Sequence, residues 1–421
     1  MAPVAALPFR ENPVDETQPF ALCRRMTTDP TSPAQPFEIF LVAAPGLEPV
    51  LCAEASDRGF TDPTLVKGGV TVSGGWPEVW RANLELRGAT RVLARIASFR
   101  ALHLAQLDKR ARRVPWAEIL RADVPVRVEA SCKASRIYHA GAAAQRIERA
   151  IAEELGAPIV KAAPKKPGKS ADRDAPEEDT RAVQIKARID DDLCTISVDS
   201  SGESLHKRGH KEAVNKAPMR ETLAALFLRQ CGYDGREPVP VVDPMCGSGT
   251  FVIEAAEIAA GLKPGRSRSF AFEQLANFDP ARWQDLRGNA TVTPPAMRFY
   301  GSDRDAGAAT MSRANAERAG VSAWTDFAHH AISDLTPPEG PPGLVIVNPP
   351  YGARIGEGKS LIPLYHAMGQ TLKTRFAGWR VGIITNEAAL AKATELPFQE
   401  GGVSVSNGGI RVTLYQTGVL G

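Results

Sequence analysis

The chain has 421 residues, of which 43% are hydrophobic and 24% charged, and its formal net charge is +3. This length predicts two or three domains of about 150 residues each. The small net charge excludes a uniformly polybasic protein, so local clusters of charge must select any nucleic-acid partner. No apolar run approaches the roughly 20 residues of a membrane helix, and the first residues lack the basic and apolar regions of a signal peptide. We therefore expect a cytoplasmic protein without a membrane anchor.

The cysteines are scattered along the chain and form no Cys-x-x-Cys pair. This spacing predicts reduced thiols rather than a disulfide framework, and it predicts no zinc site. The positions are Cys23, Cys52, Cys132, Cys194, Cys231 and Cys246.

Residues 1–36 contain seven prolines and no sustained periodicity, which predicts a disordered tail. From residue 37 to residue 100 strands alternate with helices, and their order favours a small ferredoxin-like α+β unit. The predicted strands lie at 37–42, 69–74 and 95–99, and the predicted helices lie at 46–55 and 81–93.

A second α+β unit is predicted over residues 101–204. Between its helix and its hairpin, residues 161–180 are rich in lysine, proline and acidic residues; this composition cannot bury a core and predicts a flexible loop. The strand lies at 124–130, the helix at 142–155, and the hairpin strands at 183–189 and 193–198 around three aspartates.

Two basic stretches could contact the phosphates of a nucleic acid. Lys133 and Arg136 follow the first strand of the second unit, and Lys207 and Arg208 belong to the densest basic run, residues 205–211. Cationic side chains neutralise phosphates, although for any one of these residues a solvated surface position is the better explanation.

The domain predicted for residues 205–421 contains a strand, a glycine turn and a helix in succession. A β-branched run at 239–242 precedes Asp243, and a helical pattern covers 251–259. Gly247 and Gly249 let the backbone approach a ligand closely, and the helix N-terminus offers free N–H groups. The spacing is not that of a pyrophosphate or triphosphate loop, and the acidic Asp243 suits an ammonium group instead.

The next predicted strand, at 298–302, ends in Asp303, an acid placed to accept hydrogen bonds from ribose hydroxyls. It follows Asp243 by 60 residues instead of the usual figure of about 20, which predicts an insertion at 262–295. A helix is predicted at 310–319. Asp334 is placed at the end of the third strand, although a helix or turn cap explains it nearly as well.

Another buried run, 344–347, ends in Asn348-Pro349-Pro350-Tyr351-Gly352. Active sites of open parallel sheets lie at the carboxyl ends of the strands, so Asn348 and Asp243 should share one crevice. A helix at 361–376, a strand at 381–385 and a hairpin around Asn407-Gly408-Gly409 complete the predicted sheet.

The two motifs, 243–250 and 348–352, together resemble class I S-adenosylmethionine-dependent methyltransferases acting on exocyclic amines of bases, and look most like the THUMP-domain RNA guanine-N2 methyltransferases. The resemblance implies an α/β fold, in which a Rossmann-like methyltransferase domain has a mixed seven-stranded sheet ending in an antiparallel hairpin. Ferredoxin-like and THUMP α+β units would precede it. The implied cofactor is S-adenosylmethionine, and the implied partner of residues 101–204 is RNA.

The resemblance also implies which residues form the site. The catalytic residues would be Asn348, Pro349, Pro350 and Tyr351. Cys246 is expected to pack against the cofactor and not to act as a nucleophile, because no His lies in a matching motif. The residues expected to bind the cofactor are Asp243, Pro244, Cys246, Gly247, Gly249, Thr250, Asp303, Asp334 and Asn348.

A guanine N2 or adenine N6 amine is a poor nucleophile because its lone pair is delocalised into the ring. Two acceptors holding the amine hydrogens, the Asn348 side-chain oxygen and the Pro349 carbonyl, would turn the lone pair toward the methyl group. Consecutive prolines stiffen this loop, and Tyr351 offers a face for stacking a flipped base. The cofactor's sulfonium supplies an activated methyl group, so no metal is needed.

The favoured function is RNA guanine-N2 methylation, with 23S ribosomal RNA as the first substrate and tRNA as the second. The alternative enzyme is an adenine-N6 methyltransferase acting on DNA or RNA, which Asn-Pro-Pro-Tyr permits but which the RNA-module character of the N-terminal units disfavours. A non-catalytic RNA-binding assembly factor is the third possibility. The intact cofactor turn, the ribose acid and Asn-Pro-Pro-Tyr argue against it.

Overall fold

The computed structural model describes residues 36–161, 182–211, 219–289, 292–351, 361–407 and 409–421. Their backbone is organised around two mixed β-sheets. The predicted tail at 1–36 lies outside the described residues except for Pro36, and so does the predicted loop at 161–180 except for Lys161. Gly352 and Gly408 also lie outside them.

The first sheet begins with a ferredoxin-like βαββαβ unit, as predicted. Alternation along the first strand buries Ile39 and Leu41 on one face, which is the pattern of a half-buried strand. The elements are β1 (Phe37–Val42), α1 (Glu48–Asp57), β2 (Thr61–Val66), β3 (Gly69–Gly74), α2 (Trp76–Glu85) and β4 (Arg91–Arg100).

Of the helix predicted at 81–93, only residues 81–85 are helical, because α2 ends at Glu85. Helix α2 starts earlier because Pro77 occupies its first turn and the Glu78 carboxylate accepts from the Gly75 N–H at 2.8 Å. The apolar residues at the end of the predicted helix belong instead to β4. Strand β2 was not predicted because it contains Pro63; β2 lies at the sheet edge, where proline is tolerated.

The second predicted unit does not form a separate sheet. Its strand β7 runs antiparallel to β4, so that within the described residues both units share one seven-stranded sheet of order β2-β3-β1-β4-β7-β6-β5. The predicted hairpin is confirmed as β6 and β7. The elements are α3 (Leu104–Ala111), α4 (Trp116–Ile119), β5 (Val126–Lys133), α5 (Ala140–Leu155), β6 (Val183–Asp190) and β7 (Leu193–Asp199).

The second sheet confirms the predicted Rossmann-like fold. Its order in the described chain is β10-β9-β8-β11-β12-β14-β13; β10 to β12 are parallel and β14 is antiparallel to β12. The elements are α6 (Glu221–Gln230), β8 (Val241–Asp243), α7 (Thr250–Ala259), α8 (Pro280–Gly288), β9 (Phe299–Asp303), α9 (Ala306–Arg318), β10 (Thr325–His329), β11 (Leu344–Val347), α10 (Ile362–Arg375), β12 (Arg380–Thr385), α11 (Ala388–Ala393), β13 (Val403–Asn407) and β14 (Ile410–Gln416).

The apolar strand β11 is buried along its whole length, as expected for a central parallel strand covered on both faces. The insertion predicted at 262–295 contains a short 3₁₀ helix and α8. Among the described residues, no helix is both long enough and apolar enough to cross a membrane.

Candidate active site

Three neighbouring strands of the second sheet bring the predicted site residues to one edge. In the centre, β8 ends at Asp243, which pairs with Gly301 on β9, and Val242 pairs with Val345 on β11. Because the strands are parallel, the chain beyond Gly301 and beyond Val345 continues past the same edge. Asp303 therefore lies on one side of Asp243 and Asn348 follows on the other, as the sequence predicts.

The Asp243 carboxyl group is only 2% exposed. Among the described residues, the hydrogen bond found to it comes from the Met245 N–H, at 3.1 Å from Oδ1. Burial raises the pKa of Asp243 to about 8, the negative charge of Asp303 adds to this effect, and the Met245 N–H opposes it. The crevice thus contains a desolvated acid that a cationic group would stabilise.

The glycine turn needs both of its glycines. Gly247 and Gly249 have φ of 55° and 82°, which other residues rarely adopt. A Cβ at Gly249 would lie 3.1 Å from the Ser312 Oγ and 3.2 Å from the Phe327 ring, whereas a Cβ at Gly247 would meet nothing within 4 Å. Gly249 therefore allows close packing against α9 and β10, and Gly247 leaves space beside the turn.

Asp303 holds the same turn from the neighbouring strand. Its Oδ2 accepts from the Gly247 N–H at 3.0 Å, and its Oδ1 accepts from the Asp305 N–H at 3.0 Å. A carboxylate oxygen has more than one acceptor site, so these two bonds leave capacity for a further donor. Asp303 is half-buried at the end of β9, which suits an acceptor that faces a ligand.

Two residues that the sequence analysis missed hold the turn from α9. Ser312 donates through Oγ to the Gly247 carbonyl at 3.1 Å, and Asn315 donates through Nδ2 to the Ser248 carbonyl at 3.0 Å. Both side chains are fully buried. The available signal was a pair of polar residues three positions apart on the buried face of a helix, where such groups need specific partners.

Pro244, Cys246 and Thr250 are also buried. Burial raises the pKa of the Cys246 thiol above its ordinary value, so the thiol stays protonated near neutral pH. Cys246 therefore packs in the turn, with Sγ 3.6 Å from the Ser312 Oγ. Thr250 accepts through Oγ1 from the Lys211 ammonium group at 2.8 Å.

Asn348 presents a free acceptor at the other side of the crevice. Its Oδ1 is buried and has no hydrogen-bond partner among the described residues. Leaving a buried carbonyl oxygen unpaired costs about 1–3 kcal/mol, so such atoms are rare in folded proteins. The next two residues are prolines, and the Pro350 carbonyl accepts from the Tyr365 hydroxyl at 3.2 Å, which fixes the loop.

Comparison with known proteins agrees with this geometry. Residues 208–416 match the RMKL-like methyltransferase domain, and residues 38–93 match the RlmL ferredoxin-like domain. Residues 208–416 therefore form an RMKL-like methyltransferase domain.

Curated relatives of this chain carry the name ribosomal RNA large subunit methyltransferase K/L. The protein from Chromohalobacter salexigens is 32% identical over 377 residues, which cover 86% of this chain and 50% of that protein. The protein from Syntrophotalea carbinolica is 34% identical over 368 residues, which cover 85% and 50%. The chain thus spans about half the length of these relatives.

Solved structures resemble the chain over most of its length. A putative methyltransferase, SMU.472, complexed with SAH, has a TM-score of 0.77 and 26% identity, covering 91% of this chain and 98% of that one. A predicted N6-adenine-specific DNA methylase from Listeria monocytogenes has a TM-score of 0.79 and 26% identity, covering 91% and 97%.

Two predicted site residues of the RMKL-like domain lie elsewhere than expected. Asp334 is not at the end of the third strand, because β10 ends at His329 and Asp334 belongs to a 3₁₀ helix at 332–334, where it is exposed. Tyr351 does not offer an open ring face in this structure. It is 3% exposed, and its hydroxyl oxygen lies 3.5 Å from the Asn407 Nδ2.

The predicted RNA contacts divide into exposed and buried residues. Lys133 is exposed at the end of β5, Arg136 is exposed in the loop that follows, and Lys207 is exposed with its Nζ 2.8 Å from a Glu203 carboxylate oxygen. The prediction for Arg208 is wrong in this structure, because its side chain is 2% exposed and hydrogen-bonds within the protein. The run 205–211 contains only basic residues apart from Leu205 and Gly209, and it gave no sign that this arginine turns inward.

Proposed function

We propose that this chain transfers a methyl group from S-adenosylmethionine to the exocyclic N2 of a guanine in RNA, with 23S ribosomal RNA as the substrate. The observation that carries the proposal is the buried Asn348 Oδ1, which has no hydrogen-bond partner in the described part of the chain and lies at the sheet edge that also holds Asp243. A free buried acceptor is the group that an exocyclic amine requires. The names of the curated relatives support ribosomal RNA as the substrate class.

The described residues fit the cofactor on its charged and polar parts. The buried carboxylate of Asp243 would pair with the ammonium group of the methionine moiety, which would offset the desolvation that raises its pKa. Asp303 retains acceptor capacity for the ribose hydroxyls, and Gly247 leaves room for close approach. When bound, the cofactor supplies an activated methyl group on its sulfonium. SAH in the similar SMU.472 structure supports this assignment.

The chain's own contribution to transfer is to bind and orient the amine. Asn348 Oδ1 would accept one amine hydrogen and the Pro349 carbonyl the other, so that the nitrogen lone pair points to the methyl group. The fixed Pro350 carbonyl and the two prolines hold both acceptors in place before substrate arrives. The proton released after transfer passes to water.

Tyr351 would stack against the flipped base only after its ring becomes accessible. The ring is covered in this structure, so stacking requires that substrate binding uncovers it. Stacking on an aromatic ring would stabilise a flipped base by about 1–3 kcal/mol, and the Asn407 contact to the hydroxyl would then be exchanged for contacts to the base.

The N-terminal half would bind the RNA. Residues 101–204 are proposed to be a THUMP module, and the exposed Lys133, Arg136 and Lys207 are proposed phosphate contacts. Arg208 is removed from this set because its guanidinium is engaged inside the protein. Cytoplasmic location follows from a substrate that is part of the ribosome.

The test is methyl transfer from labelled S-adenosylmethionine to ribosomal RNA and tRNA from a strain that lacks the gene. Digestion and mass spectrometry identify the product, and N2-methylguanosine in 23S RNA is expected. N2-methylguanosine in tRNA instead of 23S RNA would make tRNA the substrate, and N6-methyladenosine as the product would favour the adenine-N6 methyltransferase. Absence of transfer to either RNA by a protein that binds both RNA and cofactor would favour the assembly factor.

A further inference from the structure

A cluster of buried charges joins the ferredoxin-like unit to helix α7 of the methyltransferase domain. Arg87 lies between α2 and β4, and its Nη1 is 2.6 Å from Glu254 Oε1 and 3.2 Å from Glu257 Oε2. Arg208 reaches the same Glu254 oxygen at 3.2 Å, and Arg266 reaches Glu257 Oε1 at 2.5 Å. All these carboxylates are buried, so solvent screens the interactions little.

The backbone around Arg87 is fixed independently of its guanidinium. Glu54 on α1 accepts from the N–H groups of Arg87 and Gly88, at 2.7 and 2.9 Å. The Arg87 carbonyl accepts from Arg208 Nη2 at 2.9 Å. The second terminal nitrogen of Arg87 donates to the Leu262 carbonyl just beyond α7. Arg87 therefore contacts the N-terminal unit through its backbone N–H, and it contacts the methyltransferase domain through its carbonyl and its side chain.

The helix that Arg87 holds is the one that follows the glycine turn. Helix α7 begins at Thr250, directly after Gly249, and Glu254 lies one turn further along. Glu254 and Glu257 are three residues apart and so share one face of the helix. A shift of this face relative to the N-terminal unit would move the Gly247–Gly249 turn relative to that unit.

Buried ion pairs contribute little net stability, because desolvation offsets most of the attraction. The cluster instead fixes the position of the N-terminal unit relative to α7. The planar guanidinium of Arg87 binds two carboxylates and a carbonyl in fixed directions, which a lysine ammonium does not reproduce. Resting on the function proposed above, we propose that Arg87 is a positioning residue that sets the N-terminal RNA-binding half in register with the cofactor turn, so that a bound guanine reaches Asn348.

The test compares Arg87→Lys with Arg91→Lys in the full chain. Arg91 is the matched control: its Nη1 pairs with Asp199 Oδ2 at 2.7 Å, and its other described partners are Gly202 and Ser204, none of them on α7. Two readouts are used, namely amide hydrogen exchange of peptides covering α7 and steady-state methyl transfer to RNA.

Arg87→Lys is expected to raise exchange in α7 about tenfold or more. It should lower kcat on RNA about tenfold while RNA KM and cofactor Kd change less than about threefold. Arg91→Lys should change neither readout. Unchanged α7 exchange, unchanged kcat, or equal effects in Arg91→Lys would each overturn the proposal, and so would a loss of kcat explained wholly by a weaker cofactor Kd.

If Arg87→Lys does not fold, Arg87→Met replaces it. This variant removes one charge and leaves both carboxylates paired, because Arg208 still contacts Glu254 and Arg266 still contacts Glu257. It should fold and show the same loss of kcat and the same increase in exchange. If wild-type protein transfers no methyl group to RNA, the proposed function fails, and the exchange comparison alone still decides whether Arg87 holds α7.

Discussion

Asp303 accepts the Gly247 N–H at 3.0 Å, so the end of β9 and the glycine turn form one unit around the buried Asp243. The arrangement places two carboxylates near each other, and the negative charge of Asp303 adds to the burial that raises the pKa of Asp243. A site of this kind favours a ligand that brings a positive charge next to Asp243 and hydroxyl donors next to Asp303.

Cofactor binding should depend on pH through Asp243. Its pKa is about 8 in the free protein, and an ammonium group beside the carboxylate would lower that value, so binding near pH 7 should release a proton. Affinity should therefore fall by up to about tenfold per pH unit as the pH drops below 8. Titration calorimetry in two buffers with different ionisation enthalpies measures the released proton, and identical enthalpies in both buffers would contradict the mechanism.

Asp243→Asn should stabilise the free protein and weaken cofactor binding. An acid whose folded pKa is raised binds more protons folded than unfolded, so wild-type stability should decrease as pH rises from about 4 to about 8. The amide keeps an acceptor for the Met245 N–H and removes the buried charge. Urea unfolding near pH 8 should show a gain on the order of 2–4 kcal/mol, without the wild-type pH slope between 4 and 8.

The matched control for Asp243→Asn is Asp326→Asn, at an exposed position of β10. It should leave both the pH slope and cofactor affinity unchanged. A stability curve for Asp243→Asn that keeps the wild-type slope would assign that slope to another group.

Gly249→Ala should lower the stability of the protein by more than the strain of a left-handed backbone alone. Gly249 and Gly320 have φ of 82° and 74°, so an alanine at either position is strained by about 1–2 kcal/mol. Only at Gly249 would the added Cβ press on Ser312 and Phe327, because nothing lies within 4 Å at Gly320. Thermal unfolding should show the larger loss for Gly249→Ala, and cofactor affinity should fall in that variant alone. Equal losses in both variants would mean that packing of the turn against α9 is unimportant.

The sequence predicted the parts of the site that depend on strand order and on short motifs. The carboxyl-end rule placed Asp243, Asp303 and Asn348 at one edge because the intervening elements are regular, and the register confirms it. Asp334 was misplaced because the strand before it ends five residues early, a boundary that apolar periodicity cannot fix.

Other features were beyond the sequence because they depend on long-range contacts. Arg208 lies in a basic run that looks solvated, yet it turns inward to reach the Arg87 carbonyl and Glu254. Strand β7 joins β4 across the predicted boundary between units, and local patterning carries no signal for the pairing of one strand with another. Ser312 and Asn315 act on carbonyl groups 65 and 67 residues away.

Asn348→Ala should reduce methyl transfer without reducing stability. The Asn348 Oδ1 is buried and accepts no hydrogen bond from the residues that the structure describes. Removing it therefore relieves a cost of about 1–3 kcal/mol, which offsets the lost packing. The free energy of unfolding should therefore stay within about 1 kcal/mol of wild type. Transfer should fall about a hundredfold or more, chiefly in kcat, because the acceptor acts as the amine rehybridises.

The control for Asn348 is Asn289→Ala, an exposed position after α8, which should leave transfer unchanged. Asn348→Asp keeps an acceptor in the same place. It should retain more activity than the alanine variant, with little change in cofactor affinity. Steady-state transfer to RNA with cofactor Kd measured in parallel separates the cases. A large loss of stability in Asn348→Ala would show that the amide supports the fold, and near-normal N2-methylguanosine formation would remove Asn348 from the reaction, because the base amine would then have another acceptor.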